Sequence, residues 1–333
     1  MRPNGRLNLA ALLVLMVATM LAFAACGSDD EDEGGAQAGE ASAESTPVKL
    51  GIVEFTGIAP TQLGIDKGIF EKHGIDLELV PADNPAAISA QVLSGQLDLG
   101  FATTTYHATA AAKGAPLVAV SAVDGLINPD DAVSAIVVKD DSPIRSPKDL
   151  TGKKVAVVAL GSELDVLMKK VTDDDGGDSS QVQSVQIPFP QMQAALAAGR
   201  VDAIVTTEPF MTLSTNAGGR VVSEPEVELL PNGSVTAYTA SKQFIEENPD
   251  VVERFQAAMR ESLDYAKAHN DEALLAVSKV TGLDAEEAKG QALGTIYDPA
   301  LDRPSIEKMQ DLLLEYELIP EAVPMDQLVL EGA

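Results

Sequence analysis

The sequence predicts an α/β protein with two doubly wound, open-sheet lobes that are joined by a two-strand hinge. Between residues 48 and 207, short β-branched runs alternate with stretches of helical periodicity. Such alternation indicates strands that pair in parallel through right-handed crossovers. The alternation occurs as two successive series, and residues 89–103 of the first align without gaps on residues 193–207 of the second. The series therefore predict two similar lobes.

The first series begins at residue 48 with a run that is typical of a buried strand. The helix that follows is expected to end at Gly74, since glycine is favoured just past a helix C-terminus. The predicted strands of this series are 48–54, 76–80, 97–103 and 117–123, and the predicted helices are 60–73, 85–93 and 106–113.

The second series has the same character and begins at residue 133. Its predicted strands are 133–138, 154–160, 182–188 and 201–207, and its predicted helices are 163–171 and 192–198.

The aligned segments contain the same three parts. Each is a helix that ends at a glycine, a two-residue turn, and a strand whose last residue is threonine. Chance similarity between two βα units is the alternative, because every such unit favours glycine after its helix. The glycine and the aspartate stand at the same positions in the two aligned segments, and each segment occupies the same place in its series. This agreement favours a duplicated architecture. The matched residues are Gly95 and Gly199, Asp98 and Asp202, and Thr103 and Thr207.

After Gly233 the pattern is mostly helical. Residues 241–268 have apolar side chains at helical spacing, and Pro249 is compatible only with a helix start or a kink. A last helix is expected from Ser305. Residues 48–132 and 237–333 are assigned to lobe 1 and residues 133–236 to lobe 2, with connecting strands near 133–138 and 235–240. Because open α/β sheets bind ligands at the carboxyl ends of their strands, an interlobe cleft is expected.

The chain begins with features of an export leader. Arg2 and Arg6 precede an apolar stretch at 9–25, and small residues precede Cys26, the single cysteine. The run Phe23-Ala24-Ala25-Cys26 resembles the bacterial lipobox, which implies that Cys26 is lipidated after removal of residues 1–25. The alternative is a plain transmembrane anchor, which leaves Cys26 unexplained. Residues 26–47 are predicted to be an acidic, disordered tether.

Net charge and missing motifs exclude several functions. The formal net charge of -28 repels phosphate backbones, so nucleic-acid binding is not expected. With Cys26 in the leader region, no disulfide can form. The sequence lacks the metalloprotease, nucleophile-elbow and phosphate-loop motifs. The acidic segment 173–178 does not match calcium-loop spacing and is interpreted as a solvated turn. No metal, cofactor or catalytic residue is predicted.

Six segments together resemble substrate-binding proteins of ABC importers. They are GIFEKHGID at 68–76, LSGQLD at 93–98, DLTGKKVA at 149–156, GRVD at 199–202, EPF at 208–210 and YTASKQF at 238–244. The similar subfamily takes up aliphatic sulfonates, taurine, nitrate and pyrimidine precursors of thiamine. The resemblance implies a type II periplasmic-binding-protein fold and a monomer that delivers one small solute to a permease and an ATPase. Fungal pyrimidine synthases share this fold, but they use a cysteine-rich motif that this chain lacks, so no enzyme is expected.

Strand ends and the resemblance together indicate the residues that line the cleft. They are Glu54, Phe55, Thr56, Thr103, Thr104 and Tyr106 from lobe 1, Ser162, Glu163, Glu208 and Phe210 from lobe 2, and Tyr238 at the hinge. Each has a structural alternative: Glu208 as the start of a helix, Thr104 as a helix cap, Phe55 and Phe210 as core, and Tyr238 as hinge packing.

These loops contain three glutamates and no arginine or lysine, which disfavours an anionic solute. We expect an uncharged or cationic solute with amino groups, such as an aminopyrimidine precursor of thiamine, stacked against Phe55, Tyr106 or Phe210. If Glu163 only complements a helix N-terminus, a sulfonate, taurine or nitrate carrier is the alternative. A stand-alone sensor lipoprotein is another. In each case the protein is expected on the extracytoplasmic face of the cell membrane.

Overall fold

Two five-stranded sheets with flanking helices organise the computed structural model. The structure describes residues 45–124, 126–127, 132–230, 236–282, 284–285, 295–296 and 300–333. Both sheets belong to one compact unit. The predicted leader, Cys26 and nearly all of the predicted tether lie outside the described residues. Within the described part of the chain, no helix is both long and apolar enough to span a membrane.

The strands are short and follow the two predicted series closely. In chain order they are β1 Thr46–Ile52, β2 Ile75–Pro81, β3 Leu99–Thr103, β4 Leu117–Ala122, β5 Leu126–Ile127, β6 Ser134–Lys139, β7 Lys154–Val157, β8 Gln183–Gln186, β9 Ala203–Thr207, β10 Gly219–Ser223, β11 Thr236–Ser241 and β12 Thr295–Ile296.

The α-helices connect these strands and form most of the C-terminal part. In chain order they are α1 Ala59–Asp66, α2 Ile69–Lys72, α3 Pro85–Leu93, α4 Thr104–Ala112, α5 Glu163–Asp174, α6 Phe189–Ala197, α7 Phe210–Asn216, α8 Pro225–Leu229, α9 Lys242–Glu247, α10 Pro249–Ala268, α11 Asn270–Thr281, α12 Arg303–Glu315 and α13 Met325–Leu328.

Each sheet is mixed, and this differs from the predicted parallel pairing. The first sheet has the order β2-β1-β3-β11-β4 and the second the order β10-β6-β9-β7-β8. Strand β11 runs antiparallel to β3 and β4, and β6 runs antiparallel to β9 and β10. The parallel prediction is wrong for β6, the strand predicted at 133–138; β11 was predicted only as a connecting strand. Both β6 and β11 are entered from the other sheet. No crossover helix within the sheet sets their direction.

The duplicated segment is confirmed in both sheets. Gly95 and Gly199 adopt φ values of 71° and 67°, a left-handed conformation that glycine tolerates best. Asp98 then accepts a 2.8 Å hydrogen bond from the backbone N–H of Lys49, and Asp202 accepts one of 2.8 Å from that of Lys154. Each aspartate thereby ties the strand that follows its helix to the neighbouring parallel strand.

Several predicted boundaries shift for local reasons. The helix predicted at 60–73 is broken at Gly68, whose φ of 67° separates α1 from α2. Pro249 begins α10, as its chemistry requires. The strand predicted at 154–160 ends at Val157, because the following residues turn into the loop before α5. Strand β10 and helices α7 and α8 were not predicted, since elements this short have little periodicity.

One apolar cluster joins elements around both sheets. It contains Ala108 of α4 and Ala119 of β4 together with Val166 and Leu167 of α5, and α12 contributes Met309. Helix α12 therefore packs against elements of the first sheet and against α5. The division into lobes at residues 132/133 and 236/237 remains a prediction.

Candidate ligand-binding cleft

A cavity of about 110 Å³ lies where strand ends of the two sheets meet. This is well above the roughly 10–15 Å³ that one water molecule needs, so the cavity has room for a small organic molecule. Val53 and Phe55 follow β1, Thr103 ends β3, Val158 follows β7, and Thr207 ends β9. The cavity is thus at the carboxyl ends of the parallel strands, as expected for open α/β sheets.

The mixed topology adds two more segments to this edge. Val133 immediately precedes β6, and Thr236 begins β11. Because these strands run antiparallel to their neighbours, their first residues lie at the edge where the parallel strands end. The segments that cross between the sheets therefore enter each sheet beside the cavity.

Aromatic rings form much of the apolar wall. The ring centroids of Phe55 and Phe101 are 5.2 Å apart, and their planes are tilted by 58°. Phe189 also lines the cavity, and its ring stacks on Phe210 at 6.0 Å with an angle of 15° between the planes. These rings offer flat apolar surface on which a planar ligand could stack.

Three carboxyl groups form the polar wall. Asp124 follows β4, Glu163 is the first residue of α5, and Glu226 lies in the first turn of α8. Thr236 Oγ1 donates a 2.6 Å hydrogen bond to Asp124 Oδ1, and Ser134 Oγ donates one to Glu226. None of the described residues that line the cavity is lysine or arginine. The polar wall is therefore acidic.

Burial changes the acidity of Glu163. Its side chain is 3 % exposed, and burial raises its pKa well above the ordinary value. Repulsion by the Glu226 carboxylate, a hydrogen bond between the Glu163 and Glu226 carboxyls, and the charge of Asp124 raise this pKa further. Glu163 is therefore protonated over a wider pH range than an exposed glutamate.

Glu226 has a raised pKa as well, mainly through burial. The hydrogen bonds that it receives from Ser134 and from protonated Glu163 lower its pKa, whereas the charge of Asp124 raises it. Because the two carboxyl groups are buried, hydrogen-bonded to each other and both raised in pKa, they titrate as a coupled pair that retains a proton above the ordinary glutamate range.

Two polar atoms at the start of α5 lack a hydrogen-bond partner. Ser162 Oγ and Glu163 Oε2 are both buried, and both residues line the cavity. Ser162 occupies the N-cap position of α5, but its hydroxyl does not cap the helix. Buried polar groups are usually hydrogen-bonded, so these two atoms are candidates for ligand contacts.

The loop after β1 passes close to the acidic wall at Gly57. A Cβ atom built at this position would lie 2.7 Å from Asp124 Oδ2 and 2.7 Å from Phe55 Cζ. Real Cβ atoms do not approach other atoms so closely. The absence of a side chain at residue 57 thus lets the loop carrying Phe55 pass against Asp124.

The structure brings five of the predicted site residues to the cavity wall. They are Phe55, Thr56, Thr103, Ser162 and Glu163. Glu54 and Phe210 instead line an adjoining pocket of about 280 Å³, which shares Val53, Val158 and Phe189 with the cavity.

The other predicted site residues do not line the cavity. Glu208 is fully buried and accepts hydrogen bonds from the N–H and the hydroxyl of Thr212, as its helix-start alternative requires. Tyr238 is also fully buried; its hydroxyl is 2.7 Å from Thr61 Oγ1. Thr104 is buried as the first residue of α4, so the expectation that it caps the helix is wrong: Thr103 is the cap, and its Oγ1 accepts a 3.3 Å hydrogen bond from the N–H of Tyr106. Tyr106 is half-buried on the same helix.

Sequence reasoning missed Asp124, Glu226, Phe101 and Phe189. Asp124 directly follows the predicted strand 117–123, so the strand-end rule could have identified it. Glu226 lies in a five-residue helix without a usable periodic signal. Phe101 is inside β3, and Phe189 begins α6. Their inclusion in the wall depends on contacts between distant segments.

Solved structures share this architecture. An alkanesulfonate-binding protein, SsuA of Xanthomonas axonopodis bound to MOPS, superposes with a TM-score of 0.73 at 20% identity, covering 86% of this chain and 99% of that chain. The desulfurization enzyme DSZB has the same fold, with a TM-score of 0.62 at 17% identity over 86% of this chain and 96% of its own. Likeness at these identities establishes the fold, which serves both binding proteins and an enzyme.

Related sequences define the class more closely. A Bacillus subtilis protein named for the binding of aliphatic sulfonates is 27% identical over 279 residues, 82% of this chain and 79% of that protein. A formylaminopyrimidine-binding protein of Halalkalibacterium halodurans is 24% identical over 215 residues, 64% of this chain and 63% of that protein. Fold and relatives together define a solute-binding protein of the ABC-importer class. The chain belongs to the NMT1/THI5-like family, whose model matches residues 56–273.

Proposed function

We propose that this chain captures a small, amino-bearing heterocycle, such as a pyrimidine precursor of thiamine, and delivers it to an ABC permease and its ATPase. The observation that supports this ligand is the acidic wall of Asp124, Glu163 and Glu226 inside a cavity that is otherwise largely apolar and aromatic. The protein acts as a monomer on the extracytoplasmic side of the membrane.

The physical argument concerns desolvation. Burying a neutral polar group without a hydrogen-bond partner costs roughly 2–7 kcal/mol of folding free energy. An ionised carboxylate costs more, unless it meets a cation or hydrogen-bond donors. Amino groups supply such donors, whereas a sulfonate or nitrate would add negative charge beside Asp124 and Glu226. The rings of Phe55 and Phe189 offer stacking surfaces for a flat heterocycle.

A sulfonate or nitrate ligand is the second candidate. Kinship with sulfonate-binding proteins favours it, as does the unpartnered Ser162 hydroxyl at the N-terminus of α5, where anions are favoured. An amino-bearing heterocycle is favoured by a negatively charged cavity wall, whereas a sulfonate or nitrate is repelled by it. One binding experiment therefore separates the two ligand classes.

That experiment is calorimetric titration of the full chain in detergent micelles. The probes are 4-amino-5-aminomethyl-2-methylpyrimidine, taurine, an alkanesulfonate and nitrate. We expect micromolar binding of the pyrimidine alone. Binding of an anionic probe that is unaffected by Glu163→Gln or Glu226→Gln would contradict the proposed ligand.

We also propose that Cys26 carries the lipid anchor, because it ends the leader and has no cysteine partner. Two acyl chains hold a protein stably at a membrane. Cys26→Ser should abolish metabolic labelling with palmitate and release the protein from membranes, whereas Ser28→Ala, two residues away, should change neither. Continued membrane association of Cys26→Ser would indicate a spanning leader instead.

A further inference from the structure

We propose that the cavity binds its ligand as an organic cation in exchange for a proton held between Glu163 and Glu226. This inference rests on the proposed function and deepens it. It assigns a charge to the ligand and makes binding sensitive to pH.

The first support is geometric. Glu163 begins α5, Glu226 lies in α8, and Asp124 follows β4, so three separate elements bring carboxyl groups to one cavity. Glu163 is only 3 % exposed to solvent, and its Oε2 atom has no hydrogen-bond partner. A buried polar atom that lines a cavity without a partner is the feature expected of a ligand contact.

Other charged groups on α5 point to different partners. Asp165 accepts hydrogen bonds from Gly161 N–H and Ser184 Oγ and pairs with Lys169 at 3.0 Å. At the far end of the helix, Lys170 pairs with Glu315 of α12 at 3.4 Å. These groups are satisfied by contacts outside the cavity.

Among the residues that the structure describes, the elements packed on α5 add no cation near Glu163. Lys148, on the 3-10 helix Pro147–Leu150, lies 4.0 Å from Asp175 beyond the C-terminal end of α5. On α4, His107 is buried with its ring nitrogen 3.0 Å from the Leu117 carbonyl, and burial lowers its pKa, which favours the neutral ring. On α8, Glu228 accepts hydrogen bonds from Ser223 Oγ and the N–H of Glu224. Among described residues, Glu226 and Asp124 are therefore the titratable groups that act on Glu163.

Opposing effects act on the Glu163 proton. The N-terminus of α5 favours the ionised carboxylate through its partial positive charge. Burial and two neighbouring carboxyl groups favour the protonated acid, and they dominate, since the pKa of Glu163 is raised. An ammonium or amidinium group in the cavity would reverse this balance, because it would sit against Glu163 and Glu226 in a low-dielectric site.

The exchange balances in charge and in protons. The ligand enters with one positive charge, the proton leaves Glu163 for solvent, and the two carboxylates then face the cation. Because one proton is released per ligand, affinity should fall by up to about tenfold for each pH unit below the pKa of the pair. Acidification would therefore release the ligand.

Calorimetry on the full chain in detergent micelles tests this exchange. At pH 5, where the free pair is expected to hold its proton, the release is measured in buffers with different heats of ionisation. There 4-amino-5-aminomethyl-2-methylpyrimidine should release about one proton per molecule bound. The matched neutral probe, 4-amino-5-hydroxymethyl-2-methylpyrimidine, should release none. Glu163→Gln should abolish the release, whereas Glu253→Gln on the exposed face of α10 should leave it unchanged. Binding of the cation without proton release would overturn the inference while leaving the proposed function intact.

The ligand-free protein gives a second, independent test. A group whose pKa is raised by folding stabilises the protein below its ordinary pKa, 4.5 for glutamate, and loses this contribution as pH rises through the folded-state pKa. The melting temperature of wild type relative to Glu163→Gln should therefore fall as pH rises from 4.5. If neither pyrimidine binds, the proposed ligand is wrong, but this decline would still support the proton site. A difference between the two proteins that is independent of pH would overturn it.

Discussion

The hydroxyl of Tyr316, directly after α12, donates a 2.7 Å hydrogen bond to Asp173 Oδ2 near the end of α5. The same two helices share the apolar cluster that contains Val166 and Met309. Burial alone would raise the pKa of Asp173, but hydrogen bonds from Ser179 and Tyr316 lower it overall. Helix α5 is thus held at its C-terminal end, while its first residue, Glu163, lines the cavity.

Tyr316→Phe should lower the free energy of unfolding by about 1–2 kcal/mol at pH 7, because Asp173 loses a hydrogen bond to its charged form. The depressed pKa of Asp173 means that this contribution is present above pH 3.8 and is lost as pH falls through the folded-state value. Urea denaturation at pH 7 and in acid would measure both effects. Tyr265→Phe removes a hydroxyl that contacts Glu272 at 3.4 Å and also bonds with exposed Lys67; it is the control and should cost less, because these contacts are with exposed partners. An equal loss at both pH values would contradict the assignment.

Asp98→Ala and Asp202→Ala should each lower the free energy of unfolding by about 1 kcal/mol, because each removes one hydrogen bond to a strand N–H. The two sites belong to different sheets, so the double variant should show the sum within about 0.5 kcal/mol. Asp98→Asn and Asp202→Asn retain an acceptor oxygen and serve as controls. Urea denaturation would measure the free energy of unfolding of each variant. A loss in the double variant that differs strongly from the sum of the two single losses would contradict independent roles for the two aspartates.

Gly57→Ala should weaken ligand binding by at least about tenfold, because the new methyl group would displace Phe55 or Asp124 at the cavity wall. Calorimetry with the aminomethylpyrimidine would measure the loss. Gly114→Ala is a useful control: its φ of 84° makes alanine strained, yet no atom lies within 4 Å of the added Cβ. The control should lose stability without losing affinity. Equal affinity in both variants would show that the Gly57 loop does not shape the site.

Ligand binding should draw the two sheets together, since residues from both line the cavity. At about 100 times the dissociation constant, a ligand stabilises the folded state by roughly 2.7 kcal/mol. For a chain of this size the melting temperature should rise by on the order of 5 °C. Calorimetric melting and X-ray scattering would measure this rise and a smaller radius of gyration. A micromolar ligand that changes neither would contradict closure around the ligand.

Much of the fold could be predicted because its signals are local. The buried apolar run of β1 and the glycine after α3 are determined by neighbouring residues. The predicted cap of α4, Thr104, lies one residue past the actual cap, Thr103. The antiparallel direction of β6 and β11 could not be predicted, because it depends on where the chain returns from the other sheet. The strand-end rule likewise found Phe55 and Glu163 for the site, but not Phe189.

The sequence by itself determined the class of fold, the equivalence of Asp98 and Asp202 in the duplicated segment, and the acidic character of the loops that end the strands. Only the tertiary structure decided the chemistry of Glu163. At the start of an isolated helix a glutamate is stabilised in its ionised form. Folding brings Glu226 and Asp124 beside it and removes water, and the electrostatic effect of burial then favours the protonated acid.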